Sequence, residues 1–84
     1  MREKIREFIL SRFMLDAKPE DLKDGISFLE TGVIDSTGVV ELLAFLEAEF
    51  EIEVEDSEIV PENLDSVDSL CRYLESKGVT VSPP

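Results

Sequence analysis

The sequence predicts a small all-α protein, a four-helix bundle of three longer helices and one short helix, with a long ordered loop between helices one and two. Apolar residues recur at the three- and four-residue spacing of helices along most of the chain. In no segment do apolar and polar residues alternate for long enough to predict a strand. The 84 residues leave room for one domain with a modest core.

The first helix is predicted over about Arg2–Met14, because one apolar stripe runs along it, formed by Ile5, Phe8, Ile9 and Phe13. The connection that follows, about Asp16–Asp35, carries too many large hydrophobic residues for a solvated linker. We therefore expect an ordered loop that packs on the helices, with a short helical turn near Glu20–Lys23. Gly32 in this loop predicts a backbone conformation that other residues resist.

The second helix is predicted over Ser36–Phe50, with the side chain of Asp35 or Ser36 as its N-cap. At 100° per residue, one arc of this helix is apolar and faces the core, formed by Val39, Leu42, Leu43, Leu46 and Phe50. Phe45 lies off this arc. We expect it to be either exposed or covered by the long loop.

A brief third helix is predicted over Asp56–Val60, ending before Pro61. The fourth helix is predicted to begin at Asp65-Ser66 and to end at Lys77-Gly78, because glycine is the usual residue just past a helix end. We assign residues 1–78 to a single domain and expect residues 79–84 to form a disordered tail.

The charge balance is strongly acidic, with 20 acidic residues against 8 basic ones and a net charge of −12. Such a surface repels nucleic acid and favours basic protein partners. No stretch approaches the roughly 18 apolar residues of a membrane span, and the N-terminus does not resemble a signal peptide. The single cysteine, Cys71, excludes an internal disulfide and suits a reducing compartment. We expect a cytoplasmic monomer in which Cys71 is a buried core residue.

The chain is poorly equipped for catalysis. It contains no histidine, which excludes the Ser–His and Cys–His couples of nucleophilic enzymes. One cysteine without histidine cannot complete a structural zinc site, and no segment has the ligand spacing of an EF-hand. We predict that the protein is not an enzyme and has no dedicated metal site.

The Asp35-Ser36 dipeptide places one hydroxyl at the start of the amphipathic second helix. The first turn of a helix has unpaired N–H groups and a partial positive charge, so a phosphate attached to Ser36 is favoured there. An Asp-Ser pair before an apolar-periodic run is also an ordinary N-cap. The dipeptide alone does not separate these two interpretations.

Three segments together resemble the acyl carrier protein family: Gly32-Val33-Ile34-Asp35-Ser36, Val39-Val40-Glu41-Leu42-Leu43 and Glu47-Ala48-Glu49-Phe50. In that family a Gly-x-x-Asp-Ser motif opens the second helix of a four-helix bundle, and the likeness extends to the order of elements along the whole chain. The resemblance implies that a phosphopantetheinyl transferase, using magnesium and coenzyme A, attaches 4′-phosphopantetheine. The arm then holds an acyl group as a thioester, which moves between enzymes of fatty acid, lipid or specialised acyl metabolism.

By this resemblance Ser36 is the attachment residue and Asp35 is the acidic residue before it. Acidic positions of the second helix in this family meet basic docking patches on partner enzymes such as acyltransferases and synthases. The partner-binding surface implied here consists of Thr37, Glu41, Ala44, Glu47 and Glu49.

Thr37-Gly38 departs from the family pattern, because most fatty-acid carriers have leucine or methionine there, followed by an acidic or polar residue. We interpret the change as the loss of an apolar partner contact and of a charge beside the arm. This pattern is similar to specialised stand-alone carriers and to D-alanine carrier proteins, which an acyl- or aminoacyl-activating ligase loads. Bulky core side chains favour a short or polar cargo. An unmodified acidic interaction module and an acidic metal buffer remain alternatives.

Overall fold

The computed structural model describes residues 2–79 and is all-helical over that range, which confirms the predicted fold class. The five α-helices are α1 (Arg2–Phe13), α2 (Phe28–Thr31), α3 (Ser36–Phe50), α4 (Pro61–Leu64) and α5 (Val67–Ser76). Two short 3₁₀ helices lie between them, at Pro19–Asp21 and Asp56–Glu58. The three longer helices agree with the predicted ones to within a few residues, and α3 has the predicted bounds.

The core is formed where the apolar stripes of α1, α3 and α5 meet. Ile5 and Ile9 of α1 are fully buried, as are Leu42 and Leu46 of α3. The last helix is the most deeply buried element, with most of its residues inside, namely Val67, Ser69, Leu70, Cys71, Tyr73 and Leu74. The predicted stripes of α1 and α3 therefore face the core, although their outer members Phe8, Phe13, Val39, Leu43 and Phe50 are only half-buried.

The long loop is ordered and packs on the helices, and it contains one helix that the sequence did not predict. Helix α2 begins after Ser27, whose hydroxyl accepts from the Glu30 N–H at 3.2 Å, and it buries Phe28. It ends at Gly32, which has a φ of 75° and so shows the backbone conformation expected of it. Four residues are too few to produce a helical periodicity, and α2 instead depends on contacts with Asp65, which accepts from Ser27 Oγ and from the Leu29 N–H.

The predicted third helix over Asp56–Val60 is wrong in its extent. Only Asp56–Glu58 is helical there, as a 3₁₀ turn, and a separate helix, α4, begins at Pro61. Proline suits the first position of a helix because the N–H that it lacks has no intrahelical partner there. Pro61 therefore starts a helix instead of ending one.

Phe45 is neither exposed nor covered by the long loop, which corrects the prediction for this residue. Its ring is half-buried and stacks on Phe8 of α1, with the ring centroids 4.1 Å apart and an angle of 8° between the planes. The stack extends to Phe13 and Phe50, each of which meets it edge-on. These four aromatic rings join α1 to the outer side of α3.

Helix α5 has the predicted end signals. The Ser66 hydroxyl accepts from the Ser69 N–H at 3.0 Å as the N-cap, and Gly78 follows the helix with a φ of 87°. The Val79 N–H then donates to the Leu74 carbonyl, which closes the helix end. Cys71 is buried as expected, and burial raises the pKa of its thiol. The tail predicted at 79–84 falls mostly on residues 80–84, which lie outside the described residues.

Candidate functional site

Ser36 is the first residue of α3, and its side chain is exposed. The helix is capped by Asp35, whose Oδ1 accepts from the Gly38 N–H at 2.7 Å. Asp35 is therefore the N-cap residue of α3, and the Ser36 hydroxyl does not serve as the cap. The other N–H groups of this first turn give the helix end a partial positive charge, which lies beside the serine.

Gly38 explains how the start of α3 is fixed against α1. It is buried, and a Cβ added to it would lie 2.9 Å from Phe13 Cε1 and 3.0 Å from Ile34 Cγ2. Position 38 therefore faces inward, beneath the Phe13 ring. In this chain a larger side chain at this position would meet these apolar groups, which gives a packing reason for the glycine.

Four Asp-Ser dipeptides occur in the sequence, and their serines differ in exposure and in position within the fold. Ser66 and Ser69 are buried, with 8% and 9% of their surface exposed, and their hydroxyl groups hydrogen-bond to each other at 3.0 Å. Ser57 is exposed but belongs to a three-residue 3₁₀ helix. Ser36 combines an exposed hydroxyl with the N-terminus of a fifteen-residue α-helix.

An apolar cavity of about 150 Å³ lies on the α2 side of α3. It begins one helical turn after Ser36, because Val39 is one of its lining residues and residues three apart share a helix face. Its inner wall is formed by Phe28, Ile34 and Val39, and its outer wall by Ile59, Val60 and Pro61. The cavity is partly open to solvent and offers an attached group an apolar lining close to the serine.

The exposed face of α3 includes both polar and apolar residues. Thr37 and Ala44, two residues of the predicted partner-binding surface, are exposed. Val40, which lies between them on the same helix and is not among the residues predicted for this surface, is 66% exposed. Its four-residue distance from Ser36 is the signal that could have identified it as an apolar side chain beside the serine.

The three glutamates of this surface differ in their surroundings. Glu41 pairs with Arg12 of α1 at 2.9 Å, and Glu49 pairs with Lys4 of α1 at 2.7 Å. Glu47 has no ion pair among residues 2–79, and its Oε2 accepts from the Val54 N–H at 3.1 Å. Two of the three predicted docking carboxylates therefore already face a cation of the same chain.

Over residues 2–79, no group of three or more Asp, Glu or Cys side chains is arranged to hold a metal ion. No helix in that range has both the length and the apolar character needed to cross a membrane.

An exposed serine at the positive end of a helix, next to an apolar cavity and an acidic helix face, is the arrangement expected of a carrier domain. Residues 3–74 match the family described as "Phosphopantetheine attachment site". The chain is 33% identical over 75 residues to the acyl carrier protein of Bdellovibrio bacteriovorus, covering 89% of this chain and 91% of that protein. It is 36% identical over 72 residues to the acyl carrier protein of Wolinella succinogenes, covering 86% of this chain and 90% of that protein.

The fold has a solved counterpart as well. A chain in a crystal structure of an FAD-dependent dehydrogenase superposes with a TM-score of 0.75 at 28% identity, covering 83% of this chain and 97% of that chain. The protein belongs to the acyl carrier protein family. It is therefore a carrier and not a catalyst, and its covalent cofactor is 4′-phosphopantetheine.

The residues present fit this cofactor. Its phosphate joins the protein through a hydroxyl, so the attachment residue must be exposed and must tolerate a negative charge. The start of α3 meets both conditions, because the Ser36 side chain is exposed and the helix dipole favours an anion there. Its neighbour Thr37 is uncharged and adds no repulsion.

Proposed function

We propose that Ser36 is the residue that carries the 4′-phosphopantetheine arm. The observation that supports this best is its position: among the four serines that follow an aspartate, it alone has an exposed hydroxyl on the first turn of a long helix. A transferase would form the bond between Ser36 Oγ and the phosphorus next to pantetheine in coenzyme A. The pyrophosphate P–O bond breaks, adenosine 3′,5′-bisphosphate leaves, and the hydroxyl proton passes to a base of the transferase.

Asp35 acts in this proposal as a positioning residue. Its carboxylate holds the first turn of α3 through the Gly38 N–H, so the direction of the Ser36 side chain is fixed before a partner binds. Loss of a capping carboxylate costs about 0.5–2 kcal/mol of stability. We expect Asp35→Ala to fray this turn and to slow modification, while the rest of the bundle remains folded.

The cargo that suits the structure is a short acyl group held as a thioester on the terminal thiol of the arm. A cavity of about 150 Å³ lined by apolar side chains is the size that accommodates benzene in an engineered protein core. A chain of about six carbons fills a similar volume without displacing its walls. Polar cargo, such as an aminoacyl group, has no reason to enter and would stay in solvent.

The partners that we propose are enzymes that act on the arm and its cargo in the cytoplasm, with the carrier as a monomer. They are a phosphopantetheinyl transferase, an acyl- or aminoacyl-activating ligase, and an acyltransferase or synthase with a basic docking patch. The similarity to a chain in a structure of an FAD-dependent dehydrogenase adds that enzyme class to those worth testing. The docking surface consists of Thr37, Val40, Glu41, Ala44, Glu47 and Glu49.

Val40 gives this surface an apolar centre, and the carboxylates at its edge give it charge. Apolar contact supplies affinity, while exposed charges mainly steer and orient a partner. Because Arg12 and Lys4 pair with two of the carboxylates, a basic partner must displace these cations or approach from the Glu47 side.

The attachment is tested by intact-protein mass after incubation with coenzyme A, magnesium and a broad-specificity phosphopantetheinyl transferase. We expect the wild type and Ser57→Ala to gain one phosphopantetheine, and Ser36→Ala to gain none. Ser57 is the matched control because it is an exposed serine that also follows an aspartate. A gain in Ser36→Ala, or no gain in the wild type under conditions that modify a known carrier, would overturn the proposal. The second result would favour an unmodified interaction module.

A further inference from the structure

The outer wall of the cavity is one short segment, Ile59-Val60-Pro61, which connects the 3₁₀ turn at Asp56–Glu58 to α4. Apart from Leu29, which also lines the cavity and is 51% exposed, it is the least buried part of the lining. Ile59 is 38% exposed and Pro61 is exposed as well, whereas Phe28 and Ile34 on the inner wall are almost completely buried.

The inner wall is attached to the core and resists displacement. Val39 belongs to α3, which is fixed by the fully buried Leu42 and Leu46, and Phe28 is itself one of the largest buried side chains. Close-packed interiors do not give way continuously, and moving such groups exposes apolar surface to water. If the cavity enlarges, the parts that can move are therefore the outer wall and the exposed Leu29 side chain, and of these only the outer wall includes backbone outside the helices.

Glu58 directly precedes the outer wall and connects it to α5 through hydrogen bonds. Its Oε1 accepts from Tyr73 Oη at 2.9 Å and from Lys77 Nζ at 3.0 Å, and both donors belong to α5 or the residue after it. The same carboxylate accepts from the Glu55 N–H at 2.9 Å, which closes the 3₁₀ turn. The Glu58 carbonyl accepts from Asn63 Nδ2 of α4 at 2.9 Å.

We propose that Glu58 is a specificity-determining residue that limits the length of the acyl chain, because its bonds to Tyr73 and Lys77 hold the outer wall of the cavity in place. This inference rests on the proposed function, since it concerns the cargo that the arm places in the cavity. To be accommodated, a chain longer than the cavity must move Ile59-Val60-Pro61 outward, and that movement breaks the bonds of Glu58 to α5. While those bonds hold, the longer chain stays in solvent.

The electrostatics of the cluster agree with this geometry. The Glu55 N–H and then the Lys77 ammonium group lower the pKa of Glu58 below its ordinary value of 4.5, so it is a carboxylate at neutral pH. Burial and the hydrogen bond to Glu58 raise the pKa of Tyr73 to about 12, so its hydroxyl keeps its proton and donates a hydrogen bond to this carboxylate. Hydrogen bonds to a charged acceptor are stronger than neutral ones, so they are suited to holding the outer wall against α5.

The test compares the wild type, Glu58→Gln and Tyr73→Phe, with Glu62→Gln as the matched control. Glu62 is an exposed glutamate of α4 that makes no ion pair or side-chain hydrogen bond within residues 2–79, so its substitution changes the charge equally without touching the cluster. The transferase loads each protein with butanoyl, hexanoyl, octanoyl or dodecanoyl coenzyme A. The readouts are the melting temperature relative to the protein that carries the arm alone, and hydrogen exchange at residues 59–61.

We expect the stabilisation of the wild type and Glu62→Gln to be greatest with hexanoyl and to be lost with octanoyl and dodecanoyl. In Glu58→Gln and Tyr73→Phe the maximum should move to octanoyl or beyond, and exchange at residues 59–61 should be faster before loading. An identical chain-length profile in all four proteins would overturn the role of Glu58 and leave the carrier function standing. Absence of stabilisation by any chain in any protein would overturn both the cargo site and its limit, although Ser36 would still be modified.

Discussion

Gly38→Ala is the substitution that tests most sharply how the start of α3 is built. The added methyl group would lie 2.9 Å from Phe13 Cε1, 3.0 Å from Ile34 Cγ2 and 3.4 Å from Asp35 Oδ1. The first two distances are shorter than carbon atoms normally approach, so the Phe13 ring or the start of the helix must shift. Phe13 is half-buried near the end of α1 and is the group with most freedom to move.

Two effects of opposite sign set the magnitude. Overpacking in a core costs about 1–3 kcal/mol. Replacing glycine by alanine within a helix stabilises it by about 0.8–1.0 kcal/mol. The net expectation is a loss of about 1 kcal/mol in the free energy of unfolding, which lowers the melting temperature of a domain of this size by about 4–8 °C.

The assay is thermal and urea unfolding of four proteins: the wild type, Gly38→Ala, Phe13→Ala and the double variant. Removing the Phe13 ring removes the closest contact, so the cost of Gly38→Ala should fall to near zero or become a gain in that background. Gly25→Ala is the control, because its Cβ would meet only Asp68 Oδ2 at an ordinary 3.8 Å. If Gly38→Ala stabilised the protein equally with and without the Phe13 ring, the packing argument would be refuted.

Three further predictions concern charge. Arg12→Gln frees the Glu41 carboxylate, so we expect it to lower the KM of a basic phosphopantetheinyl transferase for this carrier. The decrease should be up to about fivefold, in keeping with the 0.2–1 kcal/mol of an exposed ion pair. An equal change in Lys23→Gln, which alters the net charge without touching Glu41, would contradict this. Because folding lowers the pKa of Glu58, its contribution to stability is present above about pH 4.5 and is lost as the pH falls through the pKa of Glu58 in the folded protein. Urea unfolding should therefore show a weaker loss of stability in acid for Glu58→Gln than for the wild type. The net charge of −12 predicts a melting temperature that rises with salt and with divalent cations, and a melting temperature indifferent to both would argue against this self-repulsion.

Periodicity was sufficient to predict the long elements but not the short ones. Helices α1, α3 and α5 span several turns, so their apolar stripes are repeated and readable. Helices α2 and α4 have four residues each and depend on contacts with distant parts of the chain, such as the Asp65 carboxylate that accepts from Ser27 and Leu29. Such contacts leave no pattern in the local sequence.

The candidate site was predicted in outline, and its details depended on tertiary contacts. The family resemblance selected Ser36, and its exposure at the start of α3 agrees with that selection. The inward direction of Gly38 depends on where the Phe13 ring lies, which the order of residues does not reveal. The pairing of Glu41 with Arg12 likewise depends on how α1 packs beside α3, so a face that seems uniformly acidic in the sequence is partly neutralised in the fold.

The most direct test of the account is the mass of the protein isolated from the cells that produce it, with fragmentation to locate any added group. We expect one phosphopantetheine on the fragment that contains Ser36, and on part of the protein a further acyl group of about six carbons or fewer, as the cavity allows. Protein without an added group, or a group on Ser57, Ser66 or Ser69, would contradict the central claim. Cargo of many more carbons on Ser36 would leave the carrier intact and contradict the account of its cavity.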